Sequence, residues 1–185
     1  DLSLCDLTVL DNNCQPQTLL LLENLFEKFC HQEGESGFTL DHSQKSLGGG
    51  AITNRVLNTA RTAEQGIFLY HTASDFYFKP GWLEALLANW PICEEMGIGL
   101  LGGYSHPFHL PDGPATKGIG GYSIQPRQMV AGGSWFMPWS VWDKYGPLNE
   151  LHHGVWIGSE DSEFNFRLIA AEVGRATLVP EVVIH

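Results

Sequence analysis

The stretch GSEDSEFNFRL, residues 158–168, carries the densest group of side chains that could do chemistry. Glu160, Asp161 and Glu163 crowd the first turn of a predicted helix, where a structural role is available because a helix N-terminus favours negative charge. That role does not explain the tryptophan and the glycines just before them, in HHGVWIGSED. A carboxylate at a helix start beside an aromatic ring suits a general base that faces a hydroxyl group. Asp161 is the candidate base, and we expect Arg167 to orient it by a charge-assisted hydrogen bond.

A second candidate site involves Asp75 and His185. Asp75 ends the apolar stretch IFLYHTASD, and His185 ends VPEVVIH. Considered alone, Asp75 is more simply a strand-end acid and His185 a surface residue. Mn²⁺ and Mg²⁺, however, take one or two carboxylates together with phosphate oxygens and water, and imidazole also suits Mn²⁺. The pair is therefore a candidate for part of a metal site that a bound phosphate completes.

Two further segments are weaker candidates for a ligand site. GGGAITN, residues 48–54, is a glycine-rich loop that enters a predicted helix, and such loops point backbone N–H groups at phosphates. Its spacing fits neither the Walker pattern nor Gly-x-Gly-x-x-Gly, so a flexible turn is an equally good interpretation. Asp11 follows the strand LTVL, where a role in a turn or a helix cap is the simpler interpretation.

Length and charge limit the classes of function. The chain has 185 residues, which is enough for one domain with a core and too few to expect two. A net charge of −11 argues against nucleic acid as a partner and against docking on anionic lipid by charge. The 4 cysteines contain no Cys-x-x-Cys pair, which favours free thiols in a reducing compartment. With no membrane span and no signal-peptide pattern, we expect a cytoplasmic protein.

Predicted strands and helices alternate along the chain. Strands are predicted in LTVL, GFTLDHS, IFLYHTAS, IGLLGGYS, MVAGGSWFM and RATLVPEVVIH, with helices between them. This alternation predicts a single α/β domain over residues 1–185, with a mostly parallel central sheet flanked by helices. In such sheets ligands bind beyond the carboxyl ends of the strands. Residues 103–128 are rich in glycine and proline, and we expect them to form a functional loop that closes over a ligand.

In their order and spacing, five segments resemble the GT-A glycosyltransferases, especially the large inverting family two. The segments are LTVLDNNC, GGGAITNRVLNTA, SDFYFKPGWLEALL, MVAGGSWFMPWSVWDKYGPLNE and SEDSEFNFRL, and the closing VVIH fits as well. The resemblance runs from Asp11 to His185 and implies the GT-A fold, and the family's usual first strand and helix are not recognisable before LTVLDNN. The stretch GVWIGSEDSEFNFRL also resembles galactosyl- and N-acetylgalactosaminyl-transferases of the same fold.

The resemblance implies a role for individual residues. Donor-binding residues would be Asp11, which would contact the nucleobase, with Gly49, Gly50, Asn54, Ser74 and Asp75. Asp75 and His185 would hold Mn²⁺ or Mg²⁺. Asp161, with Glu160 beside it, would be catalytic. The sugars would lie against Gly132 and Gly133 and stack on Trp135 or Trp156.

The implied activity is the transfer of a sugar, with inversion, from a nucleoside-diphosphate sugar to a hydroxyl group of a glycan or glycolipid acceptor. Two alternatives stay open. Ala73 stands where the family has the first Asp of Asp-x-Asp, which favours a degenerate GT-A-like domain that binds sugar or protein without turnover. The likeness at EFNFR favours a retaining transferase of the same fold.

Overall fold

The computed structural model describes residues 6–30, 38–62, 66–150 and 159–185. These residues form a mixed α/β structure with 5 helices and a 6-stranded central sheet. The chain divides into two compact units, Asp1–Gly66 with Leu148–Glu160 and Ile67–Pro147 with Asp161–His185. The single domain over residues 1–185 stays a prediction. No described helix is both long enough and apolar enough to cross a membrane, and the cytoplasmic location stays a prediction.

The first unit contains two strands that pair in parallel. Its elements are β1 (Leu7–Asp11), α1 (Pro16–Cys30), β2 (Phe38–His42) and α2 (Gly49–Thr62). Parallel strands need a crossover connection, and α1 provides it between β1 and β2. Helix α1 begins at Pro16 as predicted, because a backbone N–H at the first helical position has no partner within the helix, so the N–H that proline lacks is not missed there.

The second unit contains the central sheet. Its elements are β3 (Phe68–Thr72), β4 (Tyr77–Phe78), α3 (Trp82–Glu95), β5 (Ile98–Gly102), β6 (Thr116–Lys117), β7 (Ser123–Pro126), β8 (Ser134–Pro138), α4 (Trp139–Tyr145), α5 (Ser159–Ala170), β9 (Gly174–Val179) and β10 (Val183–Ile184). The first two residues of α5 belong to the first unit. The order of the strands in the central sheet is β3-β8-β5-β9-β7-β6, and β4 pairs with β10 in a separate ribbon.

The central sheet is mostly antiparallel, so the prediction of a mostly parallel sheet was wrong. In the described sheet, β5 and β9 form the one parallel pair, and the other neighbours run antiparallel. The prediction treated every alternation of strand and helix as a crossover. Strand β8 instead enters between β3 and β5, and β6 turns directly into β7, because antiparallel neighbours need no helix between them.

Residues 116–126 of the predicted loop at 103–128 form a hairpin at the edge of the sheet, and closure of the loop over a ligand stays a prediction. They contain β6 and β7, which extend the sheet beyond β9. The side chain of Asn89, fully buried in α3, accepts a hydrogen bond from the N–H of Ile119 at 2.8 Å. Gly118 passes so close to this amide that a Cβ would lie 2.3 Å from Oδ1 of Asn89. The segment is therefore anchored to α3.

Aromatic side chains form part of the core of the second unit. The largest fully buried side chains include Trp135, Phe136, Phe164, Leu86, Leu100, Leu101, Ile124 and Met137. The ring of Phe68 lies 4.9 Å from that of Phe136 and 5.4 Å from that of Trp90. These contacts join β3, β8 and α3, and they fix the strands whose ends carry the candidate site.

Candidate functional site

The two predicted metal ligands meet at one edge of the second unit. Oδ2 of Asp75 lies 3.1 Å from Nε2 of His185, although the two residues are 110 positions apart. The pairing of β4 with β10 brings them together, with Tyr77 opposite Ile184. Their side chains are 63% and 50% exposed, so solvent reaches both.

This pair fits a divalent cation only as part of a larger set of ligands. Asp75 offers carboxylate oxygens and His185 offers an imidazole nitrogen, and both suit Mn²⁺. The described residues contain no group of three or more His, Cys, Asp or Glu side chains that could hold a metal ion. Mn²⁺ and Mg²⁺ commonly complete their coordination with phosphate oxygens and water. The donor set therefore fits a cation that binds together with a diphosphate.

Asp161, the predicted base, lies against a turn of two glycines that precedes β8. The N–H of Gly132 donates a hydrogen bond to Oδ2 of Asp161 at 3.0 Å. A Cβ on Gly132 would lie 2.7 Å from the Cβ of Asp161, so a side chain at Gly132 would displace the acid. The half-buried carboxylate thus has a defined orientation at the start of α5.

Asn165 holds this turn to α5, and the sequence interpretation missed it. Its side chain is fully buried. Oδ1 accepts a hydrogen bond from the N–H of Val130 at 2.9 Å, while Nδ2 donates to the carbonyl groups of Val130 at 3.0 Å and of Asp161 at 2.8 Å. One amide therefore ties the chain before the glycine turn to the first turn of the helix. The signal was an amide at helical spacing among apolar residues.

We expect Asn165→Ala to lower the free energy of unfolding by about 1–3 kcal/mol, because it removes the hydrogen bond of Asn165 to the buried N–H of Val130 and two more that its amide donates. Urea denaturation followed by circular dichroism measures the loss. Phe166→Ala is the matched control, since Phe166 is the next residue of α5 and is 60% exposed. An unchanged midpoint for Asn165→Ala would show that this amide does not hold the turn.

His71 supports the same turn from β3 and was also missed. Its Nδ1 lies 3.0 Å from the carbonyl oxygen of Gly132, so Nδ1–H donates to that carbonyl. Burial lowers the pKa of His71, which keeps the imidazole neutral at neutral pH. The signal was a polar ring inside the apolar stretch IFLYHTAS.

Phe76 connects the two parts of the site. A Cβ on Gly133 would lie 2.3 Å from Cε2 of Phe76, so this position needs a glycine. The ring of Phe76 also lies 5.0 Å from that of His185. Contacts thus run from Asp161 through Gly132 and Gly133 to Phe76 and His185. The packing of these side chains accounts for both glycines, and their contact with a sugar stays a prediction.

The predicted stacking of a sugar on Trp135 was wrong. Trp135 is 1% exposed and its ring lies 5.0 Å from that of Phe164. The first four residues of β8 are buried, and Trp135 among them belongs to the core. Trp156, the other predicted stacking residue, lies outside the described residues.

Arg167 does not orient Asp161, contrary to the prediction. Its guanidinium donates to Oε2 of Glu163 at 2.7 Å and to the carbonyl groups of Tyr145 and Pro147. Residues four positions apart share a face of a helix, as Glu163 and Arg167 do, whereas Arg167 lies six positions after Asp161 and on a different face. Arg167 therefore ties α5 to the chain that leaves α4.

In the first unit, Asp11 takes the role of a turn residue. Its buried carboxylate accepts a hydrogen bond from the N–H of Cys14 at 2.8 Å, and Oδ2 lies 3.4 Å from Nδ1 of His42. Hydrogen bonding with Cys14, more than the neighbouring His42, lowers the pKa of Asp11. The contact of Asp11 with a nucleobase stays a prediction, as does the donor contact of Ser74, which lies exposed before Asp75.

Asn54 was predicted to bind the donor, and this was wrong. The side chain is 4% exposed. Nδ2 donates to the carbonyl of Leu148 at 2.9 Å and to Oε1 of Glu150 at 2.8 Å, and Oδ1 accepts from the N–H of Leu148 at 2.8 Å. Both amide hydrogens are therefore used within the chain, and Asn54 fixes the segment at 148–150.

The glycines at the start of α2 also pack against the chain itself. A Cβ on Gly49 would lie 2.2 Å from Oε1 of Glu160, and one on Gly50 would lie 2.9 Å from the carbonyl oxygen of Asn149. A helix N-terminus favours negative charge, and here the carboxylate of Glu160 supplies it. Glu160 therefore lies where a phosphate was predicted, and close packing accounts for Gly49 and Gly50. A catalytic role of Glu160 and donor contacts of the two glycines stay predictions.

Comparison with known proteins supports the fold of this chain but does not assign the chain to a protein family. No family model matches the chain, and no curated protein sequence matches it significantly. The structure is similar to the crystal structure of GalNAc-T7 with UDP, GalNAc and Mn²⁺, with a TM-score of 0.67 and 12% sequence identity. The similarity covers 95% of this chain and 36% of that chain, so this chain spans about a third of that protein. The GT-A fold that the sequence predicts is therefore confirmed.

Proposed function

We propose that this chain is a glycosyltransferase domain that moves a sugar from a nucleoside-diphosphate sugar to an acceptor hydroxyl group in the presence of a divalent cation. The observation that carries the proposal is the distance of 3.1 Å between Oδ2 of Asp75 and Nε2 of His185. These are an oxygen and a nitrogen ligand at a solvent-exposed edge. The fold is similar to that of a protein crystallised with UDP and Mn²⁺, which supports the same class of ligand.

Asp161 is the proposed base of the reaction. Its carboxylate, oriented by the N–H of Gly132, accepts the proton of the acceptor hydroxyl group. The hydroxyl oxygen bonds to the anomeric carbon as the bond from that carbon to the diphosphate oxygen breaks, and attack from the opposite face inverts the configuration. A cation held by Asp75 and His185 would supply Lewis-acid stabilisation of the departing diphosphate.

A second candidate is a GT-A-like domain that binds sugar or protein without turnover. Ala73 replaces one acid of Asp-x-Asp, and the described residues contain no group of three or more His, Cys, Asp or Glu side chains that could hold a metal ion. A retaining transferase is favoured only by the likeness at EFNFR. The anomeric configuration of the product, read by NMR, separates retention from inversion.

Calorimetric titration with UDP tests the proposal. We expect UDP to bind in the presence of Mn²⁺ and to lose most of its affinity when EDTA removes the cation, because the diphosphate completes the coordination begun by Asp75 and His185. Binding without turnover of any UDP-sugar would favour the second candidate. No dependence of UDP binding on Mn²⁺ would refute the metal-dependent transferase.

A further inference from the structure

A row of two half-buried rings and one exposed ring leads away from the candidate centre. Tyr104, His106 and Phe108, which we name the ring ledge, begin beside His185. The ring centroids of His185 and Tyr104 are 5.8 Å apart, those of Tyr104 and His106 6.3 Å, and those of His106 and Phe108 5.3 Å. Phe108, at the outer end, is 85% exposed. Each ring thus touches the next from the Asp75–His185 pair out to solvent.

The residues that alternate with these rings anchor the ledge. The N–H of Ser105 donates to Oε1 of Glu181 at 2.8 Å, and its Oγ donates to Oγ1 of Thr177 at 2.9 Å. Arg127 donates to Oγ of Ser105 at 3.1 Å and to the carbonyl of His109 at 3.0 Å. The ledge is therefore held by the sheet before any ligand arrives, which reduces the entropy that binding would cost.

Packing does not explain the outer ring. A single exposed aromatic side chain is ordinary, but Phe108 continues a row that starts at the candidate centre. The anchors Ser105 and His109 face Arg127, while Phe108 contacts His106 and is otherwise open to solvent. Aromatic side chains commonly carry much of the binding energy of a site.

The chemistry of the ledge favours a neutral, hydroxyl-rich ligand. Its three side chains include no carboxylate, lysine or arginine, and the net charge of −11 disfavours an anionic ligand. The phenol and imidazole groups can hydrogen bond to hydroxyl groups, while the ring faces can cover the C–H face of a sugar. The distance between neighbouring rings is comparable to the length of one sugar unit.

We propose that the ring ledge is an acceptor subsite for an oligosaccharide, so that the acceptor is a glycan of several sugar units rather than a monosaccharide. The inference rests on the proposed function, because it takes the residues around Asp75 and Asp161 as the reacting end. The outer sugar units lie along Tyr104, His106 and Phe108 and hold the terminal hydroxyl group at the centre.

The probe is an array of defined neutral oligosaccharides of one to four sugar units, applied to the whole chain with UDP and Mn²⁺ present. We expect wild-type binding to strengthen with the length of the glycan. Phe108→Ala removes an exposed ring, and we expect about tenfold weaker binding of the longer glycans with unchanged binding of monosaccharides. Phe108→Trp is expected to restore the binding. Phe166→Ala, which removes another exposed ring, is the matched control and keeps wild-type binding.

Three results would overturn the ledge as a glycan subsite. The first is equal binding of the longer glycans by wild type and Phe108→Ala, and the second is no binding of any glycan by wild type. The third is that Phe108→Ala leaves glycan binding unchanged but loses self-association or binding to a peptide array. The proposed function fails by a different observation, which is that wild type shows no Mn²⁺-dependent binding of UDP. Glycan binding that depends on Phe108 can persist in that case.

Discussion

Asp161→Asn is expected to lower the rate of sugar transfer by about 10²–10⁴-fold, because an amide cannot accept the proton of the acceptor hydroxyl group. The amide oxygen can still accept the hydrogen bond from the N–H of Gly132, so the glycine turn keeps its position. The affinity for UDP with Mn²⁺ is therefore expected to stay close to that of wild type. Initial rates of transfer and calorimetric titration with UDP measure the two effects.

The matched control is Glu163→Gln, which changes another acid in the same turn of α5. Glu163 pairs with Arg167 at 2.7 Å and takes no part in the proposed reaction. We expect this variant to keep its rate of transfer and to lose at most about 0.5 kcal/mol of stability. Retained turnover in Asp161→Asn would refute the assignment of the base, and another acid would then have to be found.

Removal of either proposed metal ligand, Asp75 or His185, is expected to have the second large effect. His185→Ala leaves Asp75 as a single carboxylate, and we expect the affinity for UDP in the presence of Mn²⁺ to fall at least about tenfold. UDP affinity in EDTA should not change. Electron paramagnetic resonance of bound Mn²⁺ provides a second measurement that does not depend on turnover.

Glu84→Gln controls for the loss of charge near an exposed surface, since Glu84 is an exposed acid of α3. This variant should bind Mn²⁺ and UDP as wild type does. Asp75→Asn should resemble His185→Ala, and the double variant should lose little more, because both side chains act on one cation. Wild-type Mn²⁺ affinity in all three site variants would exclude a metal site at this edge.

The local pattern of apolar residues predicted many of the helices and strands. Helix α1 begins at Pro16, and the strands at Phe68–Thr72 and Ile98–Gly102 lie where apolar runs predicted them. The direction of the strands was not predictable from the same pattern. Strand β8 pairs with β3 and β5 through contacts that span many residues, and alternation of elements along the chain says nothing about where a strand is inserted.

The candidate site was predictable only in part, for the same physical reason. The proximity of Asp75 and His185 depends on β4 and β10, which have two residues each and leave almost no periodic signal. Asn54 was assigned to a ligand through the resemblance, and its actual partner at Leu148 is 94 positions away and leaves no local signal. Trp135 was predicted to stack on a sugar but is buried in a central strand, and the exposed Phe108 lies in a segment with no clear pattern and received no prediction.

The alternation of rings and anchors in residues 104–109 separates two kinds of mutational change. Under the proposed glycan subsite, substitutions at the exposed outer ring Phe108 would alter the surface that the ligand meets, whereas Ser105 keeps the hydrogen bonds that hold the backbone. A chain of this design can acquire a new specificity by changing rings one at a time, with little loss of stability at each step. Selection for different ligands can therefore act on the ledge while the sheet beneath it is preserved.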